Sequence, residues 1–68
     1  MKPIMIKVEL IDHEKTGLLV RRKRKELDLA LSAVAGRAGI STSYLSELER
    51  GDRGWTDELF DKVWGALR

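Results

Sequence analysis

Between Ser32 and Gly51 the chain reads Ser-Ala-Val-Ala-Gly-Arg-Ala-Gly-Ile-Ser-Thr-Ser-Tyr-Leu-Ser-Glu-Leu-Glu-Arg-Gly, and no other stretch constrains the fold as tightly. Leu31, Val34, Ala35 and Ala38 fall at i, i+3, i+4 and i+7, which makes one apolar face of a helix. Gly39 breaks that pattern, as expected of a residue in the left-handed conformation at a helix C-terminus. Ser41 offers a hydroxyl to the first-turn N–H groups of a second helix, expected from Thr42 to Arg50 and closed by Gly51. Leu45 and Leu48 face inward on that helix, Tyr44 lies on its flank, and Thr42, Ser43, Ser46, Glu47 and Arg50 are left on its outer side. Ala35 is small where the two helices must cross.

The flanking segments supply the remaining elements. Ile4, Ile6, Val8 and Leu10 alternate with Met5, Lys7, Glu9 and Ile11, a period of two that predicts a strand. An isolated strand leaves its backbone groups unpaired. It is therefore expected either to pair with the same strand of a second subunit or to pack on the helices as an arm. Asp12 to Gly17 reads as a connecting loop with His13 as a solvated side chain, so residues 1–16 form an arm and residues 17–68 one globular unit. A first helix is expected from Leu18 to Leu27, with Leu19, Val20 and Leu27 as its apolar positions. A second follows from Leu29 to Ala38, with Asp28 as its N-cap. After a loop from Asp52 to Trp55, Thr56 caps a last helix whose first turn carries Asp57 and Glu58, matching the positive end of its dipole. Leu59, Phe60, Val63, Trp64 and Leu67 form its apolar stripe, and Trp55 and Trp64 read as core or interface aromatics.

Composition narrows the function classes. With 68 residues there is room for one small core, and a domain of that size buries only about 60% of the surface its unfolded chain exposes. A partner subunit would add stability. The chain has no cysteine, so disulfides and thiolate metal sites are excluded; with a single histidine, His13, its catalytic resources are thin, and an enzyme or a cofactor is not expected. Without a long apolar run or a leader pattern, a soluble cytoplasmic protein with no membrane contact is expected. The net charge is only +2, but Arg21, Arg22, Lys23, Arg24 and Lys25 stand against Glu26 and Asp28 just ahead of the central segment. That concentration suits a phosphate-facing edge.

Two short helices joined by a tight turn make a helix-turn-helix, whose second helix typically enters the DNA major groove. From about Val20 to Leu67 the residues resemble, without gaps, the helix-turn-helix domains of the lambda-repressor and Cro type. Val20 and Arg24, Leu29, the pair Val34-Ala35, the turn Gly39-Ile40-Ser41, Tyr44-Leu45-Ser46, Leu48-Glu49-Arg50-Gly51, and then Leu59, Phe60, Val63 and Leu67 carry the resemblance. The fold it implies is mainly α: a four-helix lambda-repressor-like domain, here with an N-terminal β-strand. It also implies a largely buried ion pair between Arg24 and Glu49, and base-reading positions at Thr42, Ser43, Ser46 and Glu47, with Arg50 and Arg53 near the backbone or adjacent bases. Arg21, Arg22 and Lys25 are placed to meet phosphates. Glu47 would repel phosphate unless it accepts a bond from cytosine N4.

Four departures from the pattern stand out. Leu31 occupies the place of a common phosphate-contacting Gln, Ala30 that of a capping Ser, and Lys23 that of a core Leu. The chain also ends where a fifth, dimer-forming helix often follows. The function implied is a sequence-specific transcriptional regulator of phage or mobile-element type in a bacterial cell, a repressor binding a palindromic operator as a homodimer through the N-terminal strand. Two alternatives are an antitoxin that binds a toxin, or a competing regulator, through the exposed strand, and an interaction module without DNA binding.

Overall fold

The computed structural model describes residues 12–68, which form four helices: α1 (His13–Glu26), α2 (Leu31–Ala38), α3 (Thr42–Arg50) and α4 (Asp57–Ala66). The expected strand at Ile4–Ile11, with the dimer pairing built on it, lies outside the described residues. Among the described residues the architecture is all α.

Local chemistry sets the helix ends. Ser41 Oγ accepts the Tyr44 backbone N–H at 3.0 Å and Thr56 Oγ1 accepts that of Leu59 at 3.1 Å. Each thereby satisfies one of the donors a helix start leaves unpaired. At the other end, α2 and α3 close identically. Gly39 (φ 75°) and Gly51 (φ 82°) adopt the left-handed conformation. The next N–H then reaches back across the last turn, Ile40 to the Ala35 carbonyl at 3.0 Å and Asp52 to that of Glu47 at 2.9 Å.

α1 closes in the same way, with an aspartate at the left-handed position. Asp28 has φ 57°, and the Leu29 N–H bonds the Arg24 carbonyl at 3.0 Å. Asp28 thus terminates α1, and the expectation that it caps α2 is overturned. The α2 N-cap is Ala30, which has no side chain able to accept a bond.

The start of α1 also differs from expectation. Asp12 is an N-cap whose Oδ1 accepts the Lys15 N–H at 3.0 Å, so the helix begins at His13 and the expected loop from Asp12 to Gly17 is its first turns. His13 is exposed, as expected, but it opens the helix rather than lying in a loop, and its Nδ1 accepts the Trp55 backbone N–H at 2.8 Å. Gly17, the expected end of that loop, is buried inside the helix. A Cβ there would lie 2.3 Å from the Leu48 carbonyl oxygen and 2.6 Å from that of Glu49, so only glycine lets α1 cross α3 this closely.

Val20, Val34, Leu45, Leu48 and Val63 are fully buried, with Ala35, Ala38, Trp55, Ala66 and Leu67 completing the core. α1 packs on α3, and α2 packs on both α3 and α4. Of the apolar positions expected on the first helix only Val20 is core, whereas Leu19 and Leu27 are 49% and 42% exposed. Of the expected stripe, Val63 in α4 and Leu67 at its C-cap are buried, while Leu59, Phe60 and Trp64 are half-buried. Trp55 is held inside by its indole N–H, which donates to the Leu48 carbonyl at 3.1 Å. Phe60 and Trp64 stack at 5.3 Å between centroids.

Candidate nucleic-acid interface

α3 is fixed before it is presented. Arg24 on α1 grips Glu49 on α3 bidentately, Nε to Oε2 at 2.8 Å and Nη2 to Oε1 at 3.0 Å, while its Nη1 donates to the Leu29 carbonyl at 3.0 Å. One guanidinium therefore joins α1, the α1–α2 link and α3. Glu49 is buried, with its side chain 4% exposed, and both of its oxygens are satisfied. The bond to Glu49 raises the Arg24 pKa above the ordinary arginine value against the opposing cost of burial, so Arg24 stays charged wherever the protein is folded. A buried pair with complete hydrogen bonding fixes orientation, and removing one partner typically costs about 3–5 kcal/mol.

With Leu45, Leu48 and Glu49 turned inward, α3 leaves a polar outer face. Thr42, Ser43 and Arg50 are exposed, and Ser46 and Glu47 are half-buried. The outer face carries its own wiring. Arg50 donates from Nε to Asp52 Oδ2 at 3.0 Å and from Nη1 to Ser46 Oγ at 2.8 Å. Arg53 donates from Nε to Glu47 Oε1 at 2.7 Å, and its guanidinium carbon sits 5.6 Å from the Tyr44 ring centroid. Glu47, awkward as a lone carboxylate facing phosphate, thus has a cation of its own. The approach of Arg53 to Tyr44 is not readable in the sequence, because it depends on the loop after Gly51 turning back along the helix.

The basic run on α1 divides. An α-helix turns about 100° per residue, so Arg21 and Lys25 follow two and three turns along the stripe that begins at Glu14, whose side chain lies against Gly51 at the end of α3. Arg22 instead lines a cleft with Leu19, Lys23, Glu26 and Trp64, on the α4 side of the helix. The nine positions expected to meet DNA are accordingly not all on one surface. Thr42, Ser43, Ser46, Glu47, Arg50 and Arg53 gather on and beside α3, Arg21 and Lys25 are exposed on the α1 stripe that begins beside the end of α3, and Arg22 stands apart.

A tight turn between α2 and α3, an α3 locked to α1 through Glu49, and a polar outer face together mark a helix built for presentation. The helix-turn-helix family model matches residues 20–63, nearly the whole of this framework. The chain belongs to the helix-turn-helix family, in its lambda-repressor and Cro branch. The ImmF control region 10 kDa protein of Bacillus phage phi105 is 40% identical over 42 residues, which are 62% of this chain and 47% of that protein. The chain thus spans about half the length of that relative. The crystal structure of the clp gene regulator ClgR from C. glutamicum is similar in fold and sequence, with a TM-score of 0.82 and 35% identity over 84% of this chain and 74% of that one. Among the described residues of this helix-turn-helix domain, no helix is long and apolar enough to cross a membrane.

Proposed function

We propose that this helix-turn-helix protein is a sequence-specific DNA-binding transcriptional regulator, a repressor acting as a homodimer on a palindromic operator. The observation that carries the reading is the outer face of α3, a polar surface held in one orientation by the buried Arg24–Glu49 pair. Family membership and likeness to a phage control-region protein and a gene regulator support it. In this reading α3 lies in the major groove, Thr42 and Ser43 approach base edges, and Arg21, Lys25 and Arg50 meet phosphates. Two copies would place their recognition helices about 34 Å apart, one turn of duplex. Repression would follow from occupying the site and excluding polymerase.

Selection from a random duplex library at several salt concentrations tests the reading. The expected result is an enriched two-fold symmetric sequence, with affinity falling steeply as salt rises because bound cations leave the phosphates. No enrichment, together with no binding to long duplex at low salt, overturns it. Assembly is tested separately by sedimentation of the full chain and of a chain lacking residues 1–11. A dimer that becomes a monomer supports pairing through that segment, and a shortened chain that stays dimeric overturns it.

A further inference from the structure

Building on the DNA-binding reading, we propose that Glu47 is a positioning residue that aims Arg53 at a guanine, rather than a reader of cytosine. The chain reverses at Gly51, and Arg53 comes back along the outer face of α3 to the level of Tyr44 and Glu47, residues one helical turn apart. Its guanidinium meets two groups there: Nε donates to the Glu47 carboxylate at 2.7 Å, and the guanidinium carbon lies over the Tyr44 ring, 5.6 Å from its centroid. An arginine carries its donors in a rigid fork, so a carboxylate on Nε fixes where the two terminal nitrogens point. Among the described residues neither terminal nitrogen of Arg53 has a protein acceptor. A guanine presents two acceptors in the major groove, N7 and O6, which an arginine can engage with two parallel bonds.

Arg50 is wired differently. Its Nε is also held by a carboxylate, that of Asp52, but one terminal nitrogen is spent on Ser46 Oγ at 2.8 Å. A fork with one prong already engaged suits a phosphate oxygen better than a guanine edge. The two arginines at this end of α3 therefore have separate roles: Arg53 discriminates and Arg50 anchors. The Glu47 carboxylate also offsets the positive charge beside it, so Arg53 gains most from a partner that offers acceptors in the right geometry and less from phosphate in general.

Selection with sequencing on the full chain tests the assignment, comparing the unmodified protein with Glu47→Ala, Glu47→Gln, Arg53→Lys, Arg53→Ala and the double variant Glu47→Ala/Arg53→Ala. Far-UV circular dichroism checks that each is folded. The unmodified protein is expected to enrich a guanine at one position of each half-site. Arg53→Lys and Arg53→Ala should each reduce the preference for that guanine about tenfold, leaving other positions intact. Glu47→Ala should weaken the same guanine preference, Glu47→Gln should weaken it less, and the double variant should be no worse than Arg53→Ala. If Glu47→Ala instead abolishes selection of a cytosine and leaves the guanine untouched, Glu47 reads a base and the proposal fails. Additive losses in the double variant also overturn it. Failure of the unmodified protein to enrich any sequence defeats the DNA-binding reading itself, an outcome distinct from either of these.

Discussion

At the scale of single residues, two backbone positions decide more than their size suggests. Gly17 is the point of closest approach between α1 and α3, where an added methyl would meet two carbonyl oxygens rather than a flexible side chain. Gly17→Ala should therefore destabilise the fold by about 3 kcal/mol, read as a lower urea midpoint with an unchanged slope. A smaller loss than 1 kcal/mol would mean that α1 slides to accommodate it. Asp28 is the opposite case. It holds a left-handed conformation that costs a non-glycine residue roughly 1–2 kcal/mol, and it places a negative charge at the negative end of the α1 dipole. Asp28→Gly removes both costs, less the entropy glycine loses on folding, and a net gain of about 0.5–1 kcal/mol is expected in the same assay.

At the scale of elements, α2 is the least well supported start. Ala30 has the extended backbone of an N-cap but cannot accept the bond, so Ala30→Ser should add about 1 kcal/mol of stability, measured by thermal or urea unfolding. The contrast with α3 explains what could be read from the sequence. α3 starts and stops where Ser41 and Gly51 predict, because each residue type has a direct mechanical reason to stand at a helix end. α1 starts earlier than its sequence suggests, because Asp12 can cap a helix or sit in a loop and because Gly17 weakens a helix unless something demands a missing side chain. What demands it is a pair of carbonyls on α3, more than thirty residues away in the chain. Asp28 is ambiguous for a related reason: an aspartate between two helices fits the end of one as well as the start of the next. In the candidate interface, the composition of the α3 outer face was legible from the helical period alone. The links from Arg53 to Glu47 and Tyr44 were not, since they depend on the path of a loop.

At the scale of the whole molecule, the division of the basic run gives a test of how the domain lies on a duplex. Arg21 and Lys25 share the stripe of α1 that begins beside the end of α3, while Arg22 lines the cleft with Leu19 and Trp64. Arg21→Ala and Lys25→Ala should each lower the slope of log affinity against log salt by about one per subunit, and Arg22→Ala should leave it unchanged. Equal effects from all three, measured by fluorescence anisotropy of a labelled duplex, would mean that the α1–α4 side also faces the phosphates. The two indoles of the protein occupy different surroundings: Trp55 is buried and hydrogen-bonded to Leu48, and Trp64 is half-buried on Phe60 beside that same cleft. Neither lies on the outer face of α3. The protein's intrinsic emission is therefore a built-in optical gauge of whether it is folded, one that a bound duplex should leave nearly silent.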